Sequence, residues 1–172
     1  VLFRRQRQMC IRDSTRGELA AQPCPPHISI FGLLIHIVMK IYFDGSSYMT
    51  GSELEDTSKR YSTLVCKHFG AEEYNISSGG ASNNRIVRQL VTENDIAEYD
   101  LAIIQMSMAM RWEYYSDEFE KWIQLRPTTK PSTKEIKKWL WYYYANVYSD
   151  KFGNTYEHMF SQLVRDHCKV KG

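Results

Sequence analysis

The sequence predicts a three-layer α/β fold with a short parallel sheet, followed by a C-terminal pair of helices. Two patterns carry that expectation. From Met39 onward, short apolar runs alternate with amphipathic ones, as in a parallel sheet covered by helices. The run Asp100 to Met106 also has the continuous apolar centre of a strand covered on both faces.

The elements follow in order. Lys40 to Phe43 is the first strand. Lys59 to Phe69 is a helix whose Tyr61, Leu64, Val65 and Phe69 recur near the helical period, closed by Gly70. Glu73 to Ser77 is the second strand. Gly79-Gly80-Ala81-Ser82-Asn83-Asn84 is a loop by composition and feeds a helix with the apolar stripe Ile86, Val87, Leu90 and Val91. After the third strand, Ser107 to Lys130 has aromatics and charges without a clean period, ending at Pro127 and Pro131.

Ser132-Thr133-Lys134-Glu135 reads as a capping box opening a helix to about Tyr148, with Ile136, Leu140, Tyr143 and Val147 inward. The other aromatics around it, Trp139, Trp141, Tyr142, Tyr144 and Tyr148, read as core or cover before they read as a sugar platform. A last helix runs from about Thr155 to Lys171 with Met159, Phe160, Leu163 and Val164 inward. Residues 39–172 thus form a partial α/β domain in which 107–172 is a helical insertion or lid.

The first 38 residues differ from the rest: 1–14 are rich in Arg and Gln without periodicity, and 20–27 carry three prolines. Arg5 to Ser14 looks like a string met in translated sequencing-adapter DNA. Met39 is therefore read as the true start and 1–38 as read-through or a disordered leader. The competing reading is a secretion signal at Ile28 to Val38, which lacks a small-residue cleavage site and is too short for a membrane span. A cytoplasmic location is expected.

Twenty-two basic and twenty acidic side chains leave a net charge of +2, so no general electrostatic case exists for nucleic acid or anionic lipid. Cys10 and Cys24 lie in the leader, and Cys66 and Cys168 read as buried free thiols. No Cys-x-x-Cys pair supports a zinc site or a disulfide framework.

Three loops follow three strands, where open α/β sheets place their ligands. The first carries Gly45-Ser46-Ser47 and Gly51, the second Gly79-Gly80-Ala81-Ser82-Asn83, and the third begins at Gln105. A serine on one loop and a glycine-rich turn on the next is what acyl transfer needs: a nucleophile, and backbone N–H donors for the oxyanion. Ser47 also reads as an ordinary turn serine, and Gly79-Gly80 as a phosphate-binding turn, although no Gly-Lys-Ser/Thr P-loop is present. Arg111 is a candidate for a ligand's carboxylate or phosphate, with a surface ion pair to Glu113 as the ordinary alternative.

On these residues the chain resembles the SGNH hydrolases, also called GDSL esterases, a flavodoxin-like fold. Gly45, Ser47 and Gly51 hold the spacing of the family's first block, with Ser46 in place of its Asp and Met49 in place of its Thr. Gly80-Ala81-Ser82-Asn83 matches the second block. The run from Met39 to Arg88 looks like divergent phage and marine environmental members, and the resemblance spans roughly Met39 to Arg111. It implies Ser47 as nucleophile, Ser47 and Gly80 N–H groups as oxyanion donors, and Asn83, Gln105, Ser107 and Arg111 as candidate substrate contacts.

The substrate implied is a small ester or acylated carbohydrate, with neither metal nor organic cofactor. The third block's asparagine is missing, and no Asp-x-x-His occurs among the five histidines, His27, His36, His68, His158 and His167. The sequence is accordingly read as a C-terminally truncated fragment whose general base lies beyond Gly172. The rival expectation is a binding or virion-associated module that keeps the fold without the chemistry.

Overall fold

The computed structural model describes residues 38–171 and three short strands before them, β1 (Leu2–Arg4), β2 (Ser29–Ile30) and β3 (Leu33–Leu34). Most of the expected leader, with Cys10, Cys24, His27 and His36, lies outside the described residues. Within that leader β2 and β3 pair with each other, and β1 pairs with the main sheet.

The sheet is built on β4 (Lys40–Asp44), β5 (Glu72–Asn75) and β6 (Leu101–Ile104), in the order β1-β6-β4-β5. β4 runs parallel to both neighbours, and β1 covers the β6 edge antiparallel. Alternation along β4 sends its side chains to two cores. Ile41 and Phe43 pack with Leu101, Ile103, Met49 and Cys66. Tyr42 packs with Ala102, Ile104, Ile86, Leu90, Val164 and Cys168. All four residues of β6 are buried, as its apolar run predicts.

Helices lie on both faces: α1 (Ser47–Thr50) and α2 (Tyr61–Phe69) on one, α3 (Asn83–Arg88) and α5 (Asp150–Lys171) on the other. α2 is rotated from its expected stripe. Tyr61, Leu64 and Phe69 are exposed, while Ser62 and Cys66 face the sheet. The reason is polar: Ser62 donates to Glu73 Oε1 (2.6 Å) and accepts from Asn75 Nδ2 (2.7 Å), so β5 holds the helix by its small side. Val91 is likewise exposed, unlike Ile86, Val87 and Leu90.

The segment 107–130, expected within a helical insertion, is instead a hairpin of β7 (Trp112–Ser116) and β8 (Lys121–Leu125). Its alternation was masked because the outward-facing positions carry aromatics too. Trp112, Tyr114, Ile123 and Leu125 face a third core, shared with Ile136, Leu140, Tyr143 and Val147 of α4 (Lys134–Tyr142) and the π-helical turn after it. Tyr144 and Tyr148 join this core, whereas Trp139, Trp141 and Tyr142 are exposed. The capping residue of α4 is Thr133, not Ser132, and Glu135 turns to Ser116 Oγ (3.0 Å).

The two terminal helices share one core only at the start of α5, where Phe152 packs with Leu140 and Tyr143. α4 covers the hairpin, and α5 returns to the sheet, beginning at Asp150 with Val164 and Cys168 buried but Met159 and Leu163 exposed. Cys66 and Cys168 are buried free thiols, and burial raises each to about 11. Among the described residues no helix is long and apolar enough to cross a membrane.

The hairpin docks on α3 through Glu113, which is only 4% exposed. Glu113 accepts from Arg88 Nε (2.9 Å) and Gln124 Nε2 (2.6 Å), and the Arg88 guanidinium lies 4.4 Å from the centre of the Trp122 ring. Removing Glu113 strips Arg88 of its buried partner and leaves Gln124 Nε2 without its acceptor, while Arg88 keeps its ion pair with the half-exposed Glu93. Glu113→Ala is expected to destabilise the chain by roughly 2 kcal/mol in urea unfolding, through the buried donors it leaves unsatisfied, and a loss below about 0.5 kcal/mol, as at ordinary surface sites, contradicts the docking role.

Candidate functional site

The serine loop begins where β4 ends. Asp44 is followed by Gly45, whose backbone lies so close to the third loop that a Cβ there would sit 2.8 Å from Gln105 Cβ. Only glycine fits. Ser46 precedes the first turn of α1, and its N–H donates to Gln105 Oε1 at 3.4 Å. Ser47 opens α1 half-buried, and its Oγ makes no hydrogen bond with a described residue. Its N–H, at the first helical position, has no intrahelical partner.

The second loop lies against the first. Ser78 N–H donates to Gly45 O (3.1 Å), and a Cβ on Gly79 would come within 3.3 Å of Ser52 Oγ. Gly80 is buried with φ +79°, a left-handed conformation that favours glycine. On its open side rests the side chain of Arg126, with Cζ 2.8 Å from where a Cβ would stand. Ser82 then caps α3, its Oγ accepting from Arg85 N–H (3.3 Å), while its own N–H donates to Gln124 Oε1 (3.0 Å).

The third loop is tied to the second by a two-way amide contact. Asn83 Nδ2 donates to Ser107 O (3.1 Å), and Ser107 N–H donates to Asn83 Oδ1 (2.6 Å). Asn83 and Gln105, both candidate substrate contacts, thus spend their side chains on joining loops. Ser107 is buried, and its Oγ accepts from Arg111 Nη1 (2.9 Å). The ordinary expectation for Arg111, an ion pair with Glu113, is not met, because Glu113 belongs to Arg88.

The sequence reading missed Asp44 and Arg85. Asp44 is fully buried, and its Oδ1 accepts from Gly45 N–H (2.7 Å) and Arg85 Nη1 (2.8 Å); Arg85 Nη2 donates to Ile76 O (2.6 Å). One guanidinium therefore joins the ends of β4 and β5 to α3. Asp44 Oδ2 and the buried Tyr42 hydroxyl have no partner among the described residues. Burial lifts the Asp44 carboxyl from its ordinary 3.8 to about 6, against the pull of Arg85. A charged residue closing an otherwise apolar strand just before Gly-Ser-Ser was the available signal.

No described histidine hydrogen-bonds Ser47. His68 lies in the last turn of α2, directly before the strand β5, and so at the opposite end of the sheet. His167 lies in the last turns of α5, and His158 is exposed on the same helix. Among the described residues no three His, Cys, Asp or Glu side chains are grouped to hold a metal. A cavity of about 110 Å³ lies away from the serine loop, between hairpin and α4, lined by Trp112, Tyr114, Trp139 and Tyr143 among others. No family model matches the chain, and neither does any curated protein or solved structure.

The folded state holds the Asp44 proton to higher pH than the unfolded chain does. It therefore binds more protons between roughly pH 4 and pH 6, and the carboxyl's contribution to stability grows as pH falls through that window. The stability difference between wild type and Asp44→Asn is expected to shift toward wild type by on the order of 1 kcal/mol from pH 7.5 to pH 5. Denaturant titrations at both pH values check this; a difference independent of pH contradicts it.

Proposed function

We propose that this chain is a serine ester hydrolase of the SGNH type, in which Ser47 Oγ attacks a carboxylic ester carbonyl. The alkoxide or alcohol leaves, an acyl-enzyme forms on Ser47, and water then releases the acid. The backbone N–H groups of Ser47 and Gly80 are the donors assigned to the oxyanion. No metal or organic cofactor takes part in this scheme. The substrate class is a small ester or an acylated carbohydrate.

The observation that carries the reading is the fit of the first two loops. An uncommitted serine hydroxyl opens α1, and the adjoining loop presents a glycine in the left-handed conformation. The order of the parallel strands, β5-β4-β6, supports a flavodoxin-like arrangement, in which the crevice falls between the first and third strands. Ser47 and Gln105 lie at that crevice.

A second reading, a non-catalytic binding module on the same fold, draws on two facts. Asn83 and Gln105 are occupied in holding loops together, and no described histidine bonds Ser47. A serine without its general base retains only residual catalysis.

A fluorophosphonate probe is expected to modify the chain slowly and once, on the peptide containing Ser47, with Ser47→Ala abolishing the label by mass spectrometry. Absence of labelling, or labelling unchanged in Ser47→Ala, decides against the hydrolase and for the binding module. Turnover of a nitrophenyl ester should stay low. Rapid turnover that disappears in Ser47→Ala keeps the nucleophile and contradicts the expected lack of a base.

A further inference from the structure

We infer that the group bound beside Ser47 is an anion, a carboxylate or phosphate carried by the substrate, held by Arg111 and Arg126. The inference rests on the reading of Ser47 as nucleophile for its connection to a substrate. It stands on separate observations for the anion itself.

Charges around the three loops are otherwise neutralised in pairs. Asp44 is taken by Arg85, Glu113 by Arg88 and Gln124, and Arg88 holds the more exposed Glu93 as well. Arg60, behind the serine loop, is taken by Glu73 (2.8 Å). Two guanidinium groups remain. Arg111 donates to the neutral Ser107 hydroxyl, and among the described residues no carboxylate pairs with it. Arg126 has its backbone fixed by Thr129, whose Oγ1 accepts from Arg126 N–H and whose N–H donates to Arg126 O, both at 2.9 Å. Its guanidinium lies on Gly80 and pairs with no described acidic group.

Both cations border the same short path of backbone. Arg126 covers Gly80, Ser82 is held by Gln124 two residues before Arg126, Asn83 holds Ser107, and Ser107 holds Arg111. Unneutralised positive charge is thus concentrated along the edge of the second and third loops, in a protein whose net charge is only +2. A guanidinium offers paired N–H donors that match a carboxylate or phosphate, and charge-assisted bonds of this kind are about twice as strong as neutral ones. Arg126 keeps its position through backbone contacts from Thr129, so its fork is left for a ligand.

The test uses the full chain and two readouts. In the first, tryptophan fluorescence follows titration with inorganic phosphate and, separately, succinate at constant ionic strength. Saturable binding of one of them is expected, weakened roughly tenfold in Arg126→Gln and in Arg111→Gln. The stronger ligand identifies the group as phosphate or carboxylate.

In the second readout, mass spectrometry compares acylation of Ser47 by the nitrophenyl esters of succinate and of butyrate. The anionic ester is expected to react about tenfold faster, a preference lost in Arg126→Gln. Binding of neither anion, together with equal acylation by both esters, overturns the inference and leaves the Ser47 reading intact. Arginine-dependent anion binding with no acylation of Ser47 leaves the anion site and removes the nucleophile. If loss of the Ser107 contact unfolds Arg111→Gln, the exposed Arg126→Gln decides alone.

Discussion

Asp44 ends the central strand inside the protein, where a carboxylate needs a cation, and Arg85 supplies one from the first turn of α3. The same guanidinium reaches Ile76 O, past the end of the neighbouring strand. This contact brings the end of β4 and the start of the Gly79-Gly80 loop to one helix. Buried ion pairs add little net stability against an apolar alternative, yet breaking one is expensive. Asp44 with Arg85 is thus best understood as fixing an arrangement: it sets where Gly45 leaves the sheet, and so where Ser47 begins its helix.

The rest of the loop cluster is built outward from that pair. Asn83 and Ser107 exchange two hydrogen bonds, so the third loop cannot shift without leaving buried amide groups unsatisfied. The hairpin then closes the side of the second loop. It uses Gln124 on Ser82 and Glu113 on Arg88, and it brings Arg126 over Gly80. A segment distant in sequence from the second loop thereby acquires a part in the environment of Gly80. Among the described residues Arg111 and Arg126 take no part in the ion pairs of this frame.

Much of the sheet was legible in the sequence because apolar runs and glycine stops are local signals. β4, β6 and the Gly70 end of α2 lie where Lys40 to Phe43, the 100–106 run and Gly70 place them. Two things were not legible. The hairpin was hidden because Glu113 is buried by an ion pair that no local pattern reveals, and Tyr115 and Trp122 put aromatics on its outer face. The rotation of α2 was hidden because its buried side is chosen by Glu73 and Asn75 on another strand. At the candidate site the sequence places Ser47 and Gly80 on loops that the structure brings together, and the Asn83 and Gln105 side chains proved to be connectors between loops. Asp44, Arg85 and Arg126 needed three dimensions, since each matters through a partner at least 40 positions away.

The central claim, that Ser47 attacks and Gly80 helps hold the developing oxyanion, is tested most directly by a crystal structure of the chain after reaction with a dialkyl fluorophosphate. The account predicts phosphorus bonded to Ser47 Oγ, with the phosphoryl oxygen about 2.9 Å from the N–H groups of both Ser47 and Gly80. Phosphorus on another side chain, or a phosphoryl oxygen turned away from Gly80 toward solvent, contradicts it.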